Sequence, residues 1–107
     1  MTFVLQPKPT FKAAVMIPIP GGTEGKITFE FNRLGKKALK ALFESISSVD
    51  GDREDADVLS ELICGWSGVD QEFSKANLET LCDMYPGSVT AILTTYNREV
   101  MEAKTKN

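Results

Sequence analysis

The 107-residue chain has room for one domain with one modest core, and its 42% hydrophobic and 25% charged content is that of a folded protein. Its formal charge of −3 and its scattered lysines offer no dense cationic face to a nucleic-acid backbone. There is no histidine, which removes the commonest general base and the commonest transition-metal ligand together.

In chain order, residues 1–10 carry Pro7 and Pro9 and are expected to form an extended arm. From Phe11 the odd positions are apolar: Phe11, Ala13, Val15, Ile17 and Ile19. That is strand periodicity. Pro20-Gly21-Gly22-Thr23-Glu24-Gly25 marks a loop, after which Ile27, Phe29 and Phe31 alternate with Lys26, Thr28, Glu30 and Asn32. The spacing predicts a β-hairpin over about 11–32. Pro18 lacks an amide hydrogen, so the first strand should lie at a sheet edge.

Four helices are expected to follow. Leu39, Leu42, Phe43 and Ile46 make the stripe of the first, opposite Lys36, Lys37, Lys40 and Glu44. The second should run from about Arg53 to Cys64, its acidic first turn facing the positive end of the helix dipole and Gly65 ending it. Trp66 then falls in a glycine-bracketed turn, Gly65-Trp66-Ser67-Gly68. The third helix has the strongest start: Ser74 can cap it, and Phe73 is placed to staple onto Leu78. Leu78, Leu81, Cys82 and Tyr85 are its apolar side. Pro86-Gly87-Ser88 opens the last helix, with Val89, Ile92, Leu93, Tyr96 and Val100 as its stripe. The fold class is therefore α+β, an N-terminal hairpin followed by a bundle of about four helices. Residues 11–103 form the single domain and 104–107 a frayed tail.

Residue patterns for chemistry are weak. Cys64 and Cys82 both sit at apolar positions of helical patterns, which favours buried thiols in a reducing compartment, and they have no partner set for zinc. Asp50, Asp52, Glu54 and Glu61 match places in a calcium-binding loop, but the position that needs glycine is Asp55 and a helix start overlaps the loop. No serine has a histidine partner, and the Gly21-Gly22 loop lacks the lysine of a phosphate loop. The helix that could imitate a DNA-recognition helix carries Glu79 and Asp83. No apolar run is long enough to span a bilayer, and the N-terminus lacks the pattern of a secretory signal. Neither catalysis, a cofactor, a metal, nucleic acid nor a membrane is expected.

Surface for protein partners remains. Apolar residues beyond the needs of one small core are Phe3 and Leu5 in the arm, Met16 on the outer side of the hairpin, and Val100 and Met101 at the end of the last helix. Trp66 has two readings, loop anchor or interface hot spot. These six residues are the candidate partner or self-association surface.

The order and spacing of several segments resemble the tail assembly chaperones of long-tailed, siphovirus-like bacteriophages and prophages. They are Phe3 to Phe11, Ile17-Pro18-Ile19-Pro20-Gly21-Gly22, Gly65 to Asp70, Phe73 to Leu78 and Tyr85-Pro86-Gly87. The resemblance implies a non-catalytic protein of the host bacterial cytoplasm that keeps the phage tape measure protein soluble during tail tube assembly and is absent from the mature virion. It also implies self-association, and a longer frameshifted form that recruits tail tube protein. The alternative is a small structural phage protein, a minor tail or head–tail connector component, retained in the virion.

Overall fold

The computed structural model describes residues 5, 8–47 and 55–101. Two long strands come first, β1 (Thr10–Pro18) and β2 (Glu24–Asn32), paired antiparallel with Phe11 opposite Phe31 and Val15 opposite Ile27. Pro20 and Gly21 hold the two central positions of the turn that joins them. The amide of Gly22 donates to the carbonyl of Ile19 at 2.9 Å, and Gly21 takes φ +76°. Proline followed by a left-handed glycine is the sequence chemistry of a type II turn.

The helices are α1 (Lys36–Ser47), α2 (Asp55–Leu62), α3 (Lys75–Met84) and α4 (Gly87–Met101). The fold is α+β, as the residue pattern predicts. One element differs. The expected second helix, running to Cys64, stops at Leu62, and Ile63–Ser67 instead form a third strand, β3, antiparallel to β2. The sheet order is β1-β2-β3, which leaves β1 at an edge where Pro18 removes no ladder hydrogen bond.

The physical reason lies in long-range pairing. Leu59, Leu62 and Ile63 fit a helical stripe locally, but Ile63 and Trp66 fill the sheet's inner face opposite Phe31 and Phe29. β-Branched and aromatic side chains suit that pleated, half-buried surface. Gly65 therefore pairs with Glu30 inside the strand and is not a helix stop. A bulge between Glu30 and Phe31 accommodates the change in register. Cys64, expected to be buried, is exposed on this strand, and Cys82 is half-buried on α3; no disulfide joins them.

The core lies between the inner face of the sheet and α2, α3 and α4. Val15, Phe29, Phe31, Leu59, Leu62, Leu78, Ile92 and Tyr96 are among its fully buried members. The other sheet face carries Lys12, Ala14 and Met16, opposite Glu30, Thr28 and Lys26. α4 packs along β1. Gly87 permits its close approach there, since a β-carbon at that position would stand 3.2 Å from Cγ of Pro18.

Tyr96 pins this corner. Its hydroxyl donates to the Asn32 carbonyl at 2.7 Å and accepts from the Leu34 amide at 3.0 Å, joining α4 to the end of β2. Its ring packs on Phe11 and Phe31, with centroids 5.5 and 5.2 Å away. Burial pushes its pKa above the ordinary tyrosine value, against the opposing effects of the Leu34 hydrogen bond and of Arg33. Ser88 is also fully buried on α4, and among the described residues its hydroxyl meets no hydrogen-bond partner.

α3 begins as the sequence indicates: the Ser74 hydroxyl accepts from the Asn77 amide at 3.1 Å. Lys75, in its first turn, forms an ion pair with Asp57 of α2. Among the described side chains of α1, Leu42 is buried and Leu39 packs at the core's margin. The acidic stretch Asp50, Asp52 and Glu54, most of the arm including Phe3, and the tail 104–107 lie outside the described residues.

Candidate binding groove

Among the described residues, an apolar concavity lies at the turn end of the sheet. The strands supply Ile17, Ile19 and Ile27, and the segment after β3 supplies Val69 and Asp70. α3 closes the other side with Leu81 and, at its C-cap, Tyr85. A first hollow of about 390 Å³ adjoins a second of about 140 Å³ behind it, and Ile27, Val69, Asp70, Leu81 and Tyr85 line both.

Trp66 stands at the back of the second hollow. It is not in a turn, as its bracketing glycines suggest, but in β3, half-buried across from Phe29. Its ring meets Phe29 and Phe73 edge-on, with centroids 6.2 and 5.2 Å away. Its indole N–H donates to the Gln71 carbonyl at 2.9 Å. That bond closes a loop over residues 66–71, and Gly68 takes φ +86° within it, a conformation that suits glycine. The Asn77 side chain then donates to the Glu72 carbonyl at 2.7 Å, tying the far end of the loop to α3. The loop is therefore held at both ends, and Val69 at its crest is half-buried in the groove wall.

The polar groups of the groove are Lys26, Asp70, Gln71, Asn77 and Thr80, around an apolar lining. No group of three or more metal-capable side chains occurs among the described residues. The Cys64 thiol is pushed above its ordinary value by the partial desolvation of its sulfur and then by the Glu30 carboxylate, which keeps it in the less reactive thiol form. What the groove can do is take apolar side chains out of water, at about 1.5–3 kcal/mol for each large aliphatic or aromatic one.

The six residues singled out from sequence do not converge. Trp66 lines the groove, while Met16, 46% exposed, sits beyond the opposite sheet face beside α4. Val100 packs against the core margin, and Met101 is 71% exposed one residue later. Leu5 is exposed, and Phe3 lies outside the described residues. Ile19, Ile27, Val69, Leu81 and Tyr85 were not among the six. Val69 carried the available signal, a lone apolar residue between Gly68 and Asp70 in a turn.

The described residues thus form a small α+β domain with a braced apolar groove. The family is more specific: the model of the phage tail assembly chaperone family matches residues 1–107, the whole chain, and the chain belongs to that family. Searches of curated proteins and of solved structures give no match. Among the described residues, no helix is long and apolar enough to cross a membrane.

Proposed function

We propose that this chaperone binds the phage tape measure protein through the Trp66 groove and keeps it soluble in the host cytoplasm until the tail tube assembles around it. The observation that carries the reading is a continuous apolar groove with a doubly braced wall, in a chain that belongs to the tail assembly chaperones. A long amphipathic helix exposes an apolar stripe that drives aggregation, and an open apolar groove is suited to cover such a stripe.

The groove is short, so one copy covers few side chains. Two buried side chains at about 1.5–3 kcal/mol each supply about 3–6 kcal/mol against an association cost of about 4 kcal/mol or more, so a single copy binds more weakly than millimolar. Protection of a long chain then depends on many copies acting together. Weak single contacts also permit release when tube subunits arrive. A longer frameshifted form that recruits tail tube protein fits the same scheme, and the chaperone leaves before the virion is complete.

The test is co-expression with the tape measure protein of the same gene cluster. Soluble tape measure protein that co-purifies with several copies of this chain supports the proposal. An insoluble tape measure protein, with this chain found instead in purified virions, replaces it with a structural tail or connector role.

A further inference from the structure

The back hollow of the groove has a volume of about 140 Å³. An apolar cavity of about 150 Å³ takes up one benzene molecule, so this hollow matches a single phenyl group in size. Its polar lining is already engaged. The Trp66 indole N–H donates to the Gln71 carbonyl, the Asn77 side chain to the Glu72 carbonyl, and the Thr80 hydroxyl to the Ala76 carbonyl at 3.1 Å. An apolar occupant therefore costs these donors no hydrogen bond.

The back wall favours a ring over an aliphatic chain. Trp66 is half-buried, lines the hollow, and meets both Phe29 and Phe73 edge-on. A ring entering against Trp66 extends this aromatic series, and such pairs add to the stabilisation that burial alone gives.

The charge at this point is acidic. Asp70 is exposed, lines both hollows and forms no ion pair among the described residues. Lys26 lines the front hollow and not the back one, and it belongs to the outer face of the sheet, opposite Met16. A basic residue beside the ring thus complements Asp70.

We propose that the back hollow is an anchor pocket for one phenylalanine-sized aromatic side chain of the tape measure protein, carried next to a basic residue that pairs with Asp70. The assignment rests on the groove being the tape measure site, and it gives the sequence character of the segments selected there. A ring with a neighbouring cation fills both hollows and meets the acid. A purely aliphatic segment forgoes the ring contact with Trp66.

The test titrates the isotope-labelled full chain with three blocked dipeptides, N-acetyl-Phe-Arg-amide, N-acetyl-Leu-Arg-amide and N-acetyl-Phe-Glu-amide. NMR follows the indole N–H of Trp66, the one tryptophan of the chain, and the amide of Thr80. The Phe-Arg dipeptide should shift both signals saturably, and the Leu-Arg dipeptide should bind roughly two- to tenfold more weakly, the worth of one favourable ring pair. Phe-Glu should bind more weakly than Phe-Arg at about 0.05 M salt, a preference that shrinks at about 0.5 M salt and is absent from Asp70→Asn. Thr80 is exposed on α3 and lines the back hollow but not the front one. Thr80→Phe should fill the hollow and weaken capture of the tape measure protein by about tenfold or more, with unchanged circular dichroism.

The proposal is overturned by a Trp66 signal that no dipeptide moves, or by Phe-Arg binding no more tightly than Leu-Arg or, at low salt, than Phe-Glu. Capture by Thr80→Phe equal to that of the wild type also overturns it. The dipeptides need no tape measure protein, so ring-selective binding by a chain that captures none refutes the functional reading and leaves the pocket standing.

Discussion

Replacing Tyr96 by Phe removes one oxygen atom and tests the pin between α4 and β2. The ring is fully buried, and its contacts with Phe11 and Phe31 survive the change. What goes is the 2.7 Å bond to the Asn32 carbonyl and the 3.0 Å bond from the Leu34 amide. Each hydrogen bond contributes about 0.5–1.5 kcal/mol net, and stranding a buried backbone group costs about 1–3 kcal/mol. Asn32 and Leu34 are only half-buried, so water recovers part of that loss. The expected destabilisation is about 2 kcal/mol. With a urea dependence near the low end of the usual range, about 1.5 kcal/mol/M, the unfolding midpoint should fall by about 1.3 M. The hydroxyl's raised pKa adds a second signature. Its stabilisation is present below the unfolded tyrosine value of about 10 and is lost as pH rises through the folded value. The stability gap between wild type and variant should therefore narrow above pH ~10. A midpoint shift below about 0.3 M at neutral pH, at unchanged slope, would refute the pin.

Three other changes follow from the same geometry. Ser88→Ala removes a buried hydroxyl that has no partner among the described residues, and chemical denaturation should show a gain of about 1 kcal/mol; a loss of that size would mean the hydroxyl is satisfied. Ser74→Ala removes the cap of α3 and should cost about 1 kcal/mol, with hydrogen exchange accelerated first at Asn77. Val69→Asp places a carboxylate in the groove wall at a half-buried loop position. It should leave the thermal midpoint within a few degrees of wild type while abolishing capture of the tape measure protein in a pull-down. Equal capture by the variant would remove the groove from the account.

The parts of the fold legible in sequence are those specified by local chemistry. The β1–β2 hairpin was readable because Pro20-Gly21 encodes its turn and the alternation is unbroken on both sides. The start of α3 was readable because Ser74 caps it with its own side chain. β3 was not, because five residues containing Gly65 pair with a strand more than thirty positions earlier, and the local spacing of Leu59, Leu62 and Ile63 continues a helix equally well. Misplacing β3 misplaced Trp66 and Cys64 with it. The groove was invisible for the same reason: its walls come from β1, β2, the loop after β3 and α3, and only the tertiary fold sets them side by side. What sequence did supply was the family, through the order of segments spread along the chain.

The most direct test dilutes tape measure protein from denaturant into buffer with increasing amounts of this chain and follows light scattering. The account predicts that scattering falls as the ratio rises and vanishes only when several copies are present per tape measure chain, with Val69→Asp inactive at every ratio. Scattering that is the same with and without the wild-type chain would contradict it.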